Sequence, residues 1–383
     1  MQWRTATACL LVASLADLAR GSAEPASPVR APIARWQLAL PGWGEPAADA
    51  SLAYFQTRHH EVVAVDIATG LLTWRTRTGG AGEVPTGTVV RLARSSVIVG
   101  DSGIVALDRT TGRERFRYTA PDGDDPGVFL GGIREDLIVA GSPMGRLYAL
   151  DTVTGALRWR RDIAAGERRA VFAPAWVGEL VVAAFTTFDG ALAGGLAAFD
   201  RRGNRRWTRH FAAGIGAAGP PIAVGHLAVA ARTDGGVEIV EPASGRTVWT
   251  LPPESSTRAS SGQRDIRALT SLGRLLVVTS FHGPIRAFDA RTRVQHWEYS
   301  GGPLDAVAMR VRGYGGRIYV PYSDGSLVAL DGTTGLEVWR IGPEAGSYDW
   351  PPAAGSEAVF AGGSHALCAF GNEPQDAAAG RSR

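Results

Sequence analysis

Short apolar runs, separated by turns rich in aspartate, threonine and glycine, set the pattern of this chain. The segment LYALDTVTGALRW, residues 147–159, shows it most clearly. Its apolar run ends at Asp151, the turn closes at Thr154 and Gly155, and Trp159 stands on the outgoing run. Aspartate accepts hydrogen bonds from backbone N–H groups just ahead of it, and glycine adopts positive φ without steric cost. The segment therefore predicts two β-strands joined by a tight turn.

The same segment recurs along the chain in seven copies whose acidic residues are 41 to 49 residues apart. The acidic positions are Asp66, Asp108, Asp151, Asp200, Glu241, Asp289 and Asp331. The large aromatic residue of each copy is Trp74, Phe116, Trp159, Trp207, Trp249, Trp297 or Trp339. Because a catalytic residue would occur once, we interpret these aromatic residues as structural, each burying a flat side chain between neighbouring units.

Two further strand-like runs precede each copy, so that each unit has four short antiparallel strands, called A to D. In the last full unit these runs are residues 306–313 and 317–323. Four strands repeated every 40 to 50 residues are typical of a β-propeller blade.

The ends of the chain predict how the ring closes. An eighth unit begins at residue 350, has strands A, B and C, and stops at Gly371 and Asn372 without a strand D. Residues 33–40, which carry Trp36, form a strand D with no unit before it. Pairing the two ends removes both free edges. We therefore predict an all-β, eight-bladed β-propeller over residues 33–372, with the N-terminal strand in the C-terminal blade.

The remaining segments predict export. Residues 1–23 have a positive charge at Arg4, an apolar stretch and a small-residue cleavage site, which is typical of a signal peptide; a short N-terminal helix or a misassigned start is the alternative. Residues 24–32 are a proline-rich linker, and residues 373–383 are expected to be a disordered tail. Cys9 lies too early for a lipoprotein anchor. We expect a periplasmic or secreted bacterial protein.

Composition and motifs exclude several function classes. All 40 basic residues are arginine, interleaved with acidic residues at a net charge of +3, so no basic stripe for nucleic acid is expected. Two cysteines cannot form a disulfide framework or a CxxC metal site. No GxSxG, HExxH or P-loop motif occurs. We therefore predict no catalytic, cofactor-binding or metal-binding residues.

The repeated pattern, apolar-A-[LF]-D-x-x-T-G-x-x-x-W, resembles the pyrroloquinoline-quinone-type (PQQ-like) repeat of eight-bladed propellers. The resemblance implies blade docking by Trp36, Trp74, Phe116, Trp159, Trp207, Trp249, Trp297 and Trp339. It covers two branches. Quinoprotein dehydrogenases bind the quinone over the channel with Ca²⁺ on carboxylate and amide oxygens, but this chain lacks their adjacent cysteine pair and has few amides, Asn204 and Asn372 among them. The chain is more similar to the cofactor-free, BamB-like branch of outer-membrane assembly scaffolds.

Topology predicts where binding occurs. The A–B and C–D turns share one face of the disc, here the turn face, and the B–C and D–A loops share the opposite one, here the loop face. The loop face holds most of the length variation, including a B–C loop at residues 185–195 and a D–A loop at residues 250–264. Variable loops on a rigid scaffold tend to bind. The candidate interaction residues are Arg168, Arg169, Arg258, Arg264, Asp265, Tyr348, Asp349 and Trp350.

Other polar clusters have simpler interpretations. The acidic residues 121–127 lack the ligand spacing of a Ca²⁺ loop and are expected to be a solvated turn. His59 and His60 are expected at the surface, since His282, the next histidine in such a loop, is several blades away. The arginines near one C–D turn are expected to be a solvated hairpin tip; they are Arg201, Arg202, Arg205, Arg206 and Arg209.

These observations favour a non-enzymatic periplasmic scaffold that binds other envelope proteins, is monomeric and is at most peripheral to the membrane. Two alternatives stay open. One is a quinoprotein-like oxidoreductase with PQQ and calcium. The other is a propeller that binds a small ligand or a glycan through Tyr348, Trp350 and nearby arginines.

Overall fold

The computed structural model describes residues 31–79, 85, 87–120, 125, 127–164, 168–253, 266–280, 283–303, 306–343, 348, 350–355 and 358–374. These residues form eight antiparallel sheets and no α-helix, so this part of the chain offers no helix long and apolar enough to cross a membrane. Each sheet is one blade of the predicted propeller.

The first four blades follow one another along the chain, with strands in the order A to D; in blade 4, β14 and β15 both pair with β16 and together form strand A. Blade 1 has β2 (Gly42–Ala48), β3 (Leu52–Thr57), β4 (Glu61–Asp66) and β5 (Leu72–Arg77). Blade 2 has β6 (Val90–Ala93), β7 (Ser96–Gly100), β8 (Ile104–Asp108) and β9 (Glu114–Tyr118). Blade 3 has β10 (Phe129–Arg134), β11 (Leu137–Gly141), β12 (Arg146–Asp151) and β13 (Leu157–Asp162). Blade 4 has β14 (Arg168–Val171), β15 (Ala175–Val177), β16 (Leu180–Asp189), β17 (Ala191–Phe199) and β18 (Arg205–His210).

The last four blades follow in the same order, and blade 8 includes the N-terminal strand. Blade 5 has β19 (Ile222–Val224), β20 (Leu227–Ala231), β21 (Val237–Val240) and β22 (Thr247–Leu251). Blade 6 has β23 (Ile266–Leu272), β24 (Leu275–Ser280), β25 (Ile285–Asp289) and β26 (Gln295–Tyr299). Blade 7 has β27 (Arg312–Tyr314), β28 (Arg317–Pro321), β29 (Leu327–Asp331) and β30 (Glu337–Ile341). Blade 8 has β31 (Ala353–Ala354), β32 (Ala358–Gly362), β33 (Leu367–Pro374) and, as its strand D, β1 (Pro32–Leu38).

The second and third strands of each blade form the core. β7 (SVIVG) and β11 (LIVAG) are buried along their whole lengths, because neighbouring blades cover both faces of a blade. This explains why strands B and C are continuous apolar runs, as expected for strands buried on both faces. The outer strands alternate instead, as in β9, where Phe116 is buried and both its neighbours are exposed.

Closure of the ring by the two ends of the chain is confirmed. β1 pairs antiparallel with β33, and Trp36 lies opposite Ala369. Strand A of blade 8 is only Ala353–Ala354, shorter than the predicted run from residue 350. Pro351 and Pro352 precede it, and proline has no N–H to donate to a sheet.

The C–D turns have one construction. In blade 3, the Asp151 carboxylate accepts hydrogen bonds from the N–H groups of Val153 (2.9 Å) and Thr154 (2.8 Å) and from the Thr154 hydroxyl (3.0 Å). Gly155 closes the turn at φ 70°. These hydrogen bonds, together with the Arg158 guanidinium, hold the pKa of Asp151 well below its usual value.

The tryptophans bind each blade to the next. In five of the seven docking tryptophans, the indole N–H donates to the carbonyl of the residue that follows the acidic residue in the next blade's C–D turn. The pairs are Trp36 to Ile67 (2.9 Å), Trp74 to Arg109 (2.7 Å), Trp159 to Arg201 (2.8 Å), Trp207 to Pro242 (2.7 Å) and Trp297 to Gly332 (2.9 Å). The turn glycine lies against the same ring: a Cβ on Gly203 would come within 2.6 Å of the Trp159 indole.

Two tryptophans lack this bond among the described residues. Trp249 faces the C–D turn of blade 6, in which arginine replaces the glycine of the other turns. This residue, Arg293, adopts φ 66°. Trp249 packs against Phe288 instead, with ring centroids 5.7 Å apart. Trp339 is fully buried, and its indole nitrogen finds no acceptor in the described part of the chain. Its neighbour is blade 8, where strands C and D come from opposite ends of the chain and no C–D turn connects them.

Candidate functional site at the channel mouth

A cluster of charged residues crosses the central channel. Glu45, on the inner strand β2 of blade 1, is 3.1 Å from the Arg312 guanidinium on β27 of blade 7. The Glu45 carboxylate is also 3.3 Å from Arg91 on β6 of blade 2. Blade 8 lies between blades 1 and 7, and its inner strand consists of two alanines. Three blades are thus joined around one carboxylate.

Two tryptophans and two arginines lie at the loop-face end of this channel. The rings of Trp43 and Trp350 meet edge to face, with centroids 5.4 Å apart. The Arg310 guanidinium carbon lies 4.5 Å from the centroid of Trp350, and that of Arg58 lies 5.7 Å from that of Trp43. Both distances are within the range of cation–π attraction. We call these four residues the channel mouth.

Chain topology explains why these side chains meet. Each inner strand enters from the loop face, so Trp43, near the start of β2, lies at that end. Arg58 follows strand B of blade 1, and Arg310 and Trp350 lie in the segments that lead into blades 7 and 8. The Trp43 indole N–H donates to the Gly87 carbonyl at 3.0 Å, which fixes its ring.

Arg310 combines accessibility with desolvation. Its side chain is exposed to solvent, yet burial lowers the pKa of its guanidinium, with the Glu45 carboxylate opposing that shift. Both hold for a side chain on a channel wall, because water reaches it while protein surrounds it. Among the described residues, no carboxylate lies within ion-pair distance of Arg310.

The donor set at the mouth does not fit a calcium ion. Ca²⁺ takes carboxylate, amide and carbonyl oxygens, whereas the side chains here are guanidinium and indole. Within the described ranges, no group of three histidine, cysteine, aspartate or glutamate residues could hold a metal ion. The quinone-with-calcium arrangement is therefore not supported by these residues.

The structure does not bring the predicted interaction residues together at one site. Trp350 belongs to the channel mouth. Tyr348 is fully buried among the side chains of blades 7 and 8, which corrects its prediction as an accessible contact residue. Arg169 donates to the Met144 carbonyl at 2.9 Å, and Arg168 lies in β14. The others, Arg258, Arg264, Asp265 and Asp349, lie outside the described residues.

The expected B–C loop at residues 185–195 is regular β-structure. β16 and β17 stay in register from Val181 opposite Phe199 to Asp189 opposite Ala191, and Gly190 turns the hairpin. β16 has ten residues, whereas β7 and β11 have five. At 3.3 Å per residue, the additional length is roughly 16 Å. Phe188, near the tip of this blade 4 hairpin, is 44% exposed.

His60 is not a surface residue, contrary to prediction. It is buried at φ 58°, and its Nδ1 lies 2.9 Å from the Asp101 carboxylate of blade 2. The Thr78 hydroxyl also contacts that carboxylate, at 2.5 Å. These three buried side chains bind blade 1 to blade 2 at the loop face. His59 is exposed, as expected, and His282 lies outside the described residues.

Two further interpretations are corrected in part. Of residues 121–127, only 125 and 127 are described, and Asp125 is buried and accepts a hydrogen bond from the Tyr148 hydroxyl. In the arginine-rich hairpin, Arg202, Arg205 and Arg206 are exposed, as predicted. Arg201 instead pairs with Glu135 and Asp136 of blade 3, at 2.5 Å each.

The residues that sequence reasoning missed are Trp43, Arg58 and Arg310. Trp43 and Trp350 share a signal, since both are tryptophans outside the repeated docking position. A tryptophan with no structural role in the repeat is a candidate for a binding surface. The two arginines had no comparable signal, because arginine is the only basic residue throughout.

Comparisons with known proteins agree with this fold. A family model described as outer membrane protein assembly factor BamB matches residues 33–251 and 192–369. No curated protein sequence matches the chain. The structure is similar to BamB from Moraxella catarrhalis, with TM-score 0.66, 19% identity, and coverage of 89% of this chain and 99% of that one.

Structures of differently named proteins are as similar, by TM-score, as that of BamB. The computationally designed Ika8 protein has TM-score 0.66 and 14% identity, with coverage of 89% of this chain and 99% of that one. Quinohemoprotein alcohol dehydrogenase from Comamonas testosteroni has TM-score 0.66 and 12% identity, with coverage of 88% and 76%. At these identities the structural likenesses show the fold alone. The family match spans most of the chain, and the protein therefore belongs to the family of the outer membrane protein assembly factor BamB.

Proposed function

We propose that this propeller is a non-enzymatic scaffold that holds envelope proteins together during outer-membrane protein assembly. The observation that carries the proposal is the family match over residues 33–251 and 192–369. The proposal includes export to the periplasm and a monomeric state, with other envelope proteins as partners.

The loop face supports the proposal because it departs from the repeat. It carries the channel mouth and the blade 4 hairpin, whereas the turn face repeats one tight turn. Tryptophan and arginine are the residues most enriched where protein interfaces concentrate their binding energy. Trp350 and Arg310 present both types at an accessible surface.

The cofactor-free part of the proposal rests on the chemistry of the mouth. Calcium at this end would meet arginines in place of the carboxylates it requires. Titrating the purified protein with pyrroloquinoline quinone and calcium, by calorimetry and absorbance, is expected to give no stoichiometric complex and no dye reduction. A saturable complex with dye reduction would refute the scaffold function and indicate an oxidoreductase.

A gene deletion in the source bacterium tests the scaffold itself. The expected result is a lower level of folded outer-membrane β-barrel proteins, measured by their heat-modifiable migration in gels, with recovery on complementation by the wild-type chain. Unchanged β-barrel levels under all growth conditions tried, combined with exported wild-type protein in the parent strain, would refute the proposal.

A further inference from the structure

We propose that the channel mouth binds carboxylate side chains of an acidic peptide segment in the partner, with Arg310 as the principal contact. This inference rests on the proposed scaffold function and specifies the chemistry of the partner at the same face. Three properties of the described residues carry it: charge, the position of the guanidinium groups, and rigidity.

The first property is an excess of positive charge. Arg310 lies at the mouth, and Arg91 and Arg312 lie below it, while Glu45 is the carboxylate that pairs with the two lower arginines. Among these described residues, three guanidinium groups share one carboxylate. A cleft with one sign of charge concentrates ligands of the opposite sign.

The second property is that the guanidinium groups cover the tryptophans. The Arg310 guanidinium carbon lies 4.5 Å from the Trp350 ring centroid, and the rings of Trp350 and Trp43 meet edge to face. A flat aromatic ligand would have to displace Arg310 in order to stack on Trp350. The N–H groups of a stacked guanidinium point outward along its plane, where they match the two oxygens of a carboxylate.

The third property is that the surroundings are fixed before binding. The Trp43 indole is held by the Gly87 carbonyl, and Glu45 is held from two blades. Stacking on Trp350 restricts the long Arg310 side chain. A preorganised cation loses little conformational entropy when an anion arrives. Desolvation strengthens the attraction, since water screens a charge on the channel wall less than one at the open surface.

Binding of a labelled hexaglutamate peptide to the full chain, measured by fluorescence anisotropy, tests the site. The wild-type protein is expected to bind it, and added salt is expected to weaken binding because the contact is between opposite charges that water still reaches. Arg310→Gln is expected to raise Kd about tenfold, the size of one charge-assisted hydrogen bond. Arg310→Lys, which keeps the charge and loses the planar fork, is expected to bind between these two limits.

Arg246→Gln is the matched control, because Arg246 is an exposed arginine on the turn face. It is expected to bind the peptide as the wild type does. Thermal unfolding of each variant checks that the fold is intact. The proposal is overturned if the wild type does not bind the peptide, if R246Q weakens binding as much as R310Q, or if R310Q and R310K both bind as the wild type does.

Inorganic phosphate and hexaglutamine serve as competing probes. We expect neither to displace the labelled peptide at concentrations where unlabelled hexaglutamate does. Displacement by phosphate at those concentrations would show a general oxyanion site and refute an acidic peptide. The gene deletion distinguishes this proposal from the proposed scaffold function. If the deletion reduces β-barrel assembly but the protein does not bind hexaglutamate, the scaffold function stands and the peptide site is refuted. If the protein binds hexaglutamate but the deletion has no effect, the peptide site stands and the scaffold function is refuted.

Discussion

The two faces of the propeller differ in how they use their residues. On the turn face, one acidic residue, one glycine and one tryptophan repeat around the ring with nearly constant contacts. On the loop face, the described residues differ more from blade to blade: a buried histidine–aspartate pair joins blades 1 and 2, a long hairpin extends blade 4, and arginines cover tryptophans at the channel. Repetition marks the contacts that build the ring. Departures from it mark the surface available for binding.

The largest effect is expected from removing a docking tryptophan. Trp159→Ala deletes a buried ring and its hydrogen bond to Arg201, and is expected to lower the free energy of unfolding by about 3–5 kcal/mol. Denaturant unfolding measures the loss. Trp350→Ala, at the half-buried channel mouth, is the matched control and should lose much less. Equal losses would contradict the assignment of separate roles to the two tryptophans.

A turn glycine is the next test. Gly203→Ala places a Cβ within 2.6 Å of the Trp159 ring at φ 77°, and is expected to lower the unfolding free energy by about 2 kcal/mol. A Cβ on Gly219 meets nothing within 4 Å, so Gly219→Ala serves as the control in the same unfolding experiment. Equal free energies of unfolding for the two variants would show that close packing of the turn against the Trp159 ring is not the reason for glycine at position 203.

The acidic turn residues give a dependence on pH. Because the pKa of Asp151 is lowered in the folded protein, its stabilising contribution is present above the unfolded pKa, near 4, and is lost as the pH falls towards the folded pKa. Asp151→Asn is expected to cost about 1 kcal/mol at neutral pH. The difference between wild type and variant should shrink as the pH falls below about 4. A difference that stays constant with pH would contradict a role for the charge.

The smallest effect concerns the exceptional turn of blade 6. Arg293 adopts φ 66°, a region that costs an L-residue energy, so Arg293→Gly is expected to raise the unfolding free energy by about 0.5 kcal/mol. Thermal unfolding with Arg291→Gly, in the same turn, provides the control. A destabilised Arg293→Gly would show that the arginine side chain makes a compensating contact.

The repeat in the sequence was enough to predict the ring, but not the channel mouth. Seven copies at matched positions determine blade count, strand order and the closing strand at Trp36, because each copy confirms the others. His60 and Tyr348 were misplaced because burial depends on the neighbouring blade, which the local sequence does not show. The contact of Arg310 with Trp350 and the ion pair of Arg312 with Glu45 join distant parts of the chain. Only the closed ring brings them together.

The assignment of binding to the loop face can be tested by placing a photocrosslinking amino acid at one exposed apolar residue on each face. Phe188, in the blade 4 hairpin, is 44% exposed, and Leu336, in a C–D turn, is 70% exposed. Exposure alone would favour crosslinking at Leu336. We predict that, in living cells, position 188 crosslinks to a protein of the outer-membrane assembly machinery, identified by mass spectrometry, and that position 336 does not. Crosslinking to that machinery from position 336 and not from position 188 would contradict the account.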